Sequence, residues 1–328
     1  MTPDPLAPHV RALADAMGAV FPDLGGRVTD AAEARRILAA APASPRRPPE
    51  VAGAADRLVP GPPGAGPVRV RVYRPAGPPG PRPTVVFCHG GGWVLCDVDA
   101  YDTTARELCR AAGAVLVSVE YRRAPEDPFP AAVHDVHAVL RWAGERIAEL
   151  GGDPDALVVA GDSAGGNLAA AALLLARERG GPRVALQVLV YPALDAAREG
   201  DSHHVHARDG FLTAAHLGWF WEQYLGPGGD GGHPLASPLR ADLRGLPPAR
   251  VVTAGCDPLA DDGAAYARAL RAAGTPADHD AYPGMFHGFL ALTGLLDEAD
   301  AAMARIGEAV AATVVRGKNS GGSGGGAG

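Results

Sequence analysis

Lysine is almost missing from this 328-residue chain: Lys318 is the only one, so 29 of its 30 basic residues are arginine. That bias matches high-GC coding, and it excludes a Walker-type phosphate loop, which needs a lysine after its glycines. Cysteine is scarce too. Cys88, Cys96, Cys109 and Cys256 are too few and too irregularly spaced for a disulfide framework or a C-x-x-C metal site, so they read as reduced thiols of a cytoplasmic protein. No stretch approaches the roughly 18 consecutive apolar residues that a membrane helix needs. The opening Met1-Thr2-Pro3-Asp4-Pro5 lacks the basic and apolar regions of a secretory signal. No long block carries charge of one sign, and a net charge of -7 argues against a nucleic-acid footprint. What remains is an ordinary globular composition, 47% hydrophobic and 20% charged, whose expected partner is a small molecule.

Two short amphipathic helices open the chain, one from Pro5 to Met17 with Leu6, Val10, Leu13 and Met17 on one face, the other starting at Asp30 and Glu33 and running through Ile37 and Leu38. The proline-rich stretch from Ala41 to Pro67 reads as a linker, with regular structure only briefly near Asp56 to Val59. Val68 to Tyr73 alternates with period two, the pattern of a strand with one solvated face. Thr84 to Cys88, Ala114 to Val119, Leu157 to Ala160, Val184 to Val190 and Ala249 to Ala254 are near-continuous apolar runs, as expected of parallel strands covered on both faces. Helical patterns lie between most of them, at Tyr101 to Ala112, Ala131 to Leu150, Gly165 to Arg179, Asp261 to Ala273 and Asp297 to Val315. This alternation predicts an α/β fold with a mostly parallel central sheet between helix layers. The gap between Pro192 and Ala249 is too long for one crossover and must hold an insertion. In it Trp219, Phe220, Trp221 and Tyr224 gather four of the 18 aromatic residues on a helical stretch, either capping the sheet's carboxyl edge or simply filling core.

Three segments carry chemistry. The strand ending at Ala160 runs into Gly161-Asp162-Ser163-Ala164-Gly165-Gly166 and then a helix, the strand-turn-helix context in which G-x-S-x-G exposes a nucleophilic serine. The strand ending at Cys88 runs into His89-Gly90-Gly91-Gly92-Trp93, whose bare glycine amides suit an oxyanion hole, with the N–H of Ala164 as a further donor. A serine needs a base and the base an orienting acid. Asp257 and His287 follow later strands at the same sheet edge, in the order serine, acid, histidine. Competing acids are Asp261 and Asp262, better read as the cap and first turn of the next helix, and the competing base His279 lies inside a strand. Asp162 and Glu126 read as structural supports. His203, His204 and His206 lack carboxylates at ligand spacing and read as cap-loop residues, so no metal is expected.

These motifs, with Tyr121-Arg122-Arg123-Ala124-Pro125-Glu126, resemble the hormone-sensitive-lipase-like branch of the α/β-hydrolases, the bacterial carboxylesterases with an H-G-G-G and a G-D-S-A-G motif. The resemblance spans about Val68 to Val315. It implies Ser163 as nucleophile, His287 as base, Asp257 as its partner, Gly91, Gly92 and Ala164 as oxyanion donors, and a helical cap. The corresponding division is residues 1–45 as N-terminal cap helices, 46–194 and 233–316 as the hydrolase core, 195–232 as the cap insertion, and 317–328 as a Gly/Ser tail or appended linker. A pocket walled by Trp93, Phe211, Leu212, Trp219, Phe220, Tyr224 and Phe289 is expected to limit substrates to short and medium acyl chains, because a methylene that fits gains only about 0.8 kcal/mol whereas one forced into packed aromatics costs about 1–3 kcal/mol. The expectation is a cofactor-independent serine carboxylesterase; amide hydrolysis, acyl transfer or cyclisation would use the same triad, and a ligand receptor on a dead scaffold would lack a member of it. A small ester is the expected partner, with no nucleic acid or membrane, and a homodimer is left open.

Overall fold

The computed structural model describes residues 5–42, 47–78, 80–208 and 210–320. The start of the chain at residues 1–4 and residues 321–328 of the expected tail lie outside them. In chain order the elements are α1 (Pro8–Val20), α2 (Ala31–Ala40), β1 (Gly53–Val59), β2 (Val68–Arg74), β3 (Thr84–Cys88), α3 (Asp102–Ala112), β4 (Val115–Val119), α4 (Ala131–Glu145), α5 (Ile147–Leu150), β5 (Leu157–Asp162), α6 (Ala164–Arg179), β6 (Leu186–Val190), α7 (Ser202–Val205), α8 (Ala214–Leu225), β7 (Ala249–Cys256), α9 (Ala260–Ala272), β8 (Ala277–Phe286) and α10 (Asp297–Ser320).

The eight strands form one sheet in the order β1-β2-β4-β3-β5-β6-β7-β8. β1 and β2 join antiparallel and the remaining strands run parallel from β4 to β8. Every residue of β3, β4, β5 and β6 is buried, because helices cover both faces; β2, beside the edge strand β1, alternates as its sequence does from Val68 to Val72, but Tyr73 is buried. Strand alternation divides the core. Val86, Cys88, Val159 and Leu189 face a layer that includes α4, α6 and α9, while Val85, Phe87, Val158, Ala160, Val188 and Val190 face α3 and α10. Helix α6 is apolar all round and buried from Ala164 to Ala176, as befits the central helix that carries the segment after Ser163.

Several local expectations need correction. The proline-rich stretch holds a full strand, β1, paired to β2 over seven positions; its pattern was weak because this edge strand is largely exposed, with Asp56 engaged by Arg69 and Arg71. The helix expected over residues 131–150 breaks at Arg146 into α4 and α5. Asp261 and Asp262 sit in the first turn of α9, whose cap position is Leu259. Helix α10 continues to Ser320, past the expected start of the tail at residue 317, since no proline interrupts it.

Candidate active site

β5 ends one residue before Ser163, whose backbone adopts φ 55° and ψ -121° and so turns the chain sharply into α6. This strained conformation survives because the neighbouring glycines let backbones touch: a Cβ on Gly161 would collide with the carbonyl of Gly165, and one on Gly165 with that of Cys88. The turn is anchored by Ser163 N–H donating to Val190 O at 2.8 Å. On the far side of α6's first turn, Asn167 donates to the carbonyls of Ala193 and Ala236, tying the start of the insertion to the helix.

β7 and β8 bring up the other two residues. Asp257, fully buried, follows β7, and His287, 6% exposed, follows β8. His287 Nδ1 lies 2.7 Å from Asp257 Oδ2, and His287 Nε2 lies 2.9 Å from Ser163 Oγ. The other oxygen of Asp257 accepts from the Leu259 N–H at 2.9 Å. In the tautomer with Nδ1–H donating to Asp257 Oδ2, Nε2 faces the Ser163 hydroxyl as a hydrogen-bond acceptor. The ring of Tyr191 packs on His287 at 4.6 Å between centroids, and burial holds the Tyr191 hydroxyl well above its ordinary pKa, so it stays neutral.

The glycine loop after β3 approaches from the other side. Gly91 and Gly92 have φ of 108° and 60°, and a Cβ on Gly92 would sit within the ring of Phe220. Among the described residues the N–H groups of Gly91, Gly92 and Ala164 have no backbone acceptor, whereas the Gly91 carbonyl takes the amides of Val94 and Leu95. Asp162 braces this loop: its oxygens accept from Gly90 N–H at 2.9 Å and Tyr101 O–H at 2.8 Å, and burial raises its carboxyl to about 6. His89, sunk below the loop, is lowered to about 4 by burial and stays neutral, with Tyr121 O–H donating to its carbonyl. Glu126 pairs with Arg35 of α2, which also donates to the carbonyls of Val94 and Ala124 and so fastens the N-terminal helices to this loop.

A cavity of about 180 Å³, with mostly apolar walls, opens on Ser163 and His287. Of the residues named for the pocket wall, Trp93, Phe211, Leu212 and Phe220 line it. Three expected wall residues do not. Tyr224 stacks on Trp93 at 4.2 Å, Trp219 turns to donate its Nε1–H to Thr29 O at 3.0 Å, and Phe289 packs between Tyr191 and Tyr282. On α8 only part of the aromatic face reaches the cavity, and the rest is spent on fastening the helix to α2's preceding loop and to the core. The cavity also includes residues that sequence patterns did not mark as its walls: Met17 of α1 and Phe21 just after it, and Thr104, Leu108, Met303 and Ile306 on α3 and α10. On a helix such apolar positions look the same whether they pack core or line a cavity.

Of the competing residues, His279 lies in β8 with Nε2 2.8 Å from Thr253 Oγ1, and Asp261 accepts from Ser202 N–H. His203 pairs with Asp262 at 3.1 Å. Among the described residues no group of three or more His, Cys, Asp or Glu side chains is placed to hold a metal. All four cysteines are free, three of them buried. Among the described residues no helix is long and apolar enough to cross a membrane.

Residues 85–291 match a family model described as the alpha/beta hydrolase fold. The carboxylic ester hydrolase LipN of Mycobacterium tuberculosis is 45% identical over 244 residues, 72% of this chain and 64% of that one, so the chain spans just under two thirds of that relative's length. The ethyl acetate hydrolase of Pseudomonas putida is 37% identical over 247 residues, covering 74% of this chain and 77% of that one. Among solved structures, the hyperthermophilic esterase of Pyrobaculum calidifontis superposes with a TM-score of 0.85 at 37% identity, covering 95% of this chain and 99% of that one. A sheet of this order, a strained serine at the β5–α6 turn and these relatives agree: the chain belongs to the α/β-hydrolases, in their hormone-sensitive-lipase-like branch.

Proposed function

We propose that the protein is a serine carboxylesterase in which Ser163, His287 and Asp257 act as a triad and the amides of Gly91, Gly92 and Ala164 form the oxyanion hole. The observation that carries this is His287 bridging Ser163 Oγ and Asp257 with one nitrogen each, at 2.9 and 2.7 Å. Ser163 Oγ attacks the ester carbonyl as its proton passes to His287 Nε2, and the electron pair displaced from the C=O moves onto oxygen, facing the three amides. Collapse of that intermediate breaks the C–O bond to the alcohol, which leaves with the proton from His287. A water deprotonated by the same nitrogen then attacks the acyl-enzyme, and collapse of the second intermediate releases the acid and returns the proton to Ser163. Asp257 orients the imidazole through Nδ1 and stabilises the transient imidazolium.

The substrate is a small carboxylic ester, and hydrolysis needs neither cofactor nor metal. The described residues within 1–45 and 195–232 form the cap over it; the Trp219–Thr29 hydrogen bond between them supports this division. Free thiols favour the cytoplasm as the site of action. The test is turnover of a panel of esters, amides and lactones by purified protein, with and without EDTA, beside Ser163→Ala. Ester hydrolysis that survives EDTA and falls at least ~10³-fold in the mutant is the expected result. Full activity in the folded mutant, or activity lost in EDTA and restored by zinc, would overturn it.

A further inference from the structure

The cavity at Ser163 draws its walls from two parts of the fold, called here its front and rear arms. The front arm lies under Phe211, Leu212, Leu217 and Phe220 and under Met17 and Phe21 of α1. The rear arm descends along the face of the sheet that α3 and α10 cover, past Phe87, Ala160 and Val188 on the strands and Leu108, Met303 and Ile306 on the helices. Strand alternation explains why it exists. Asp162, Ala160 and Val158 point to the same face of β5, and at Ala160, between Phe87 of β3 and Val188 of β6, the side chain is a single methyl group. A larger residue there would close the passage. Met303 lines both this arm and a separate groove between α3 and α10 edged by Glu107, Arg110, Asp300 and Glu308. One flexible side chain therefore stands between the interior arm and an outer polar groove.

We propose that the rear arm receives the acyl chain of the ester and that Met303 is its floor, setting the longest straight chain the enzyme accepts. The inference rests on the esterase reading above. The leaving alcohol must sit at His287 Nε2 to receive its proton, and next to His287 the backbone of Gly288 faces Met17 and Phe211 of the front arm. That assigns the front arm to the alcohol and leaves the rear arm for the acyl group. The arm's walls hold no charged group beyond Asp162, which suits an unbranched hydrocarbon chain.

The test is kcat/KM for 4-nitrophenyl acetate through dodecanoate, which vary the acyl chain with one leaving group, and for a parallel series of alkyl acetates. Met303→Ala, which opens the arm toward the outer groove, is expected to raise the decanoate-to-butyrate ratio about 10-fold, roughly the value of two further buried methylenes. Met303→Phe is expected to lower the octanoate-to-acetate ratio by a similar factor. Opposite shifts from one position do not arise from a general loss of stability. Should either variant fail to fold, Ala160→Val blocks the same arm from the strand side and is expected to act like Met303→Phe. An acyl profile unchanged in all three variants, or a shift in the alkyl series alone, overturns the proposal while leaving the esterase reading intact. Wild-type protein that hydrolyses no ester of either series overturns both.

Discussion

Two buried histidine–aspartate pairs, whose aspartates both lie just after β7, differ in what the second nitrogen of the histidine faces. His287 and Asp257 meet at 2.7 Å, His203 and Asp262 at 3.1 Å, and the four side chains are 7% exposed or less. The second nitrogen of His287 faces Ser163 Oγ. The second nitrogen of His203 has no partner among the described residues, and Asp262 also accepts the amides of Leu194 and Asp195. In the proposed triad the first pair moves a proton. The second ties α7 and the segment after β6 to the first turn of α9, holding the base of the insertion where it leaves the sheet. A buried His–Asp pair becomes a base only when its free nitrogen reaches something that can give up a proton.

The sharpest way to break this comparison is to replace each aspartate by asparagine. Asp257→Asn should lower kcat by roughly 10³–10⁴-fold with the fold retained, because the amide no longer holds the imidazole tautomer that accepts from serine. Asp262→Asn should leave kcat within about 10-fold and lower Tm instead, since it weakens a tether and touches no reacting atom. Steady-state kinetics and thermal unfolding on both variants decide it. Equal losses of kcat would mean that the second pair takes part in the chemistry.

A third buried aspartate sharpens the contrast, because Asp162 has no histidine hydrogen-bonded to it. Burial raises its carboxyl from 3.8 to about 6, against the opposing pull of the Tyr101 hydrogen bond. The folded protein thus holds this proton more tightly than the unfolded chain, so between these two values stability contributed by the protonated group is lost as pH rises. Two pKa units correspond to about 3 kcal/mol. Asp162→Asn removes the titration while Tyr101 O–H, able to donate or accept, rotates to suit the amide. The expected outcome is a Tm difference, mutant minus wild type, that becomes more positive from pH 4 to pH 6.5; a difference independent of pH would refute it.

The fold and the site were legible in the sequence to different depths. Buried parallel strands such as Val85–Cys88 and Leu157–Ala160 declare themselves by continuous apolar runs, and Ser163 and Gly91–Gly92 stand out because sharp turns at strand ends demand small residues there. Asp257 and His287 followed from chain order and a position after strands, and the structure brings both within hydrogen-bonding reach of their partners. The cavity walls were legible only in part. Phe220 and Trp219 are neighbours on α8, yet one covers Gly92 and the other donates to Thr29, a difference set by helix rotation that an aromatic cluster does not encode. Leu108 and Met303 lie far apart in the chain and meet only because α3 and α10 pack side by side on the sheet.

The smallest expected effect separates the two pairs from the histidine side. Burial pushes the Asp262 carboxyl up, and the hydrogen bond from His203 is the first influence opposing that rise. His203→Ala removes this donor and leaves the carboxylate to the amides of Leu194 and Asp195 alone. An incompletely satisfied buried acceptor costs about 1–3 kcal/mol. In the mutant the folded-state carboxyl rises further above its unfolded value, so the folded protein binds its proton more tightly and loses more stability as pH increases through the acid range. The Tm deficit of His203→Ala should therefore be small near pH 4 and grow toward neutrality. His203→Gln, whose side-chain amide offers a donor again, should recover part of the deficit. Turnover of short esters should change by no more than a few-fold in either variant, because the tether acts on the insertion and not on Ser163. A deficit that shrinks with rising pH would show that His203 does not stabilise the ionised Asp262, and the second pair would then be a packing contact alone.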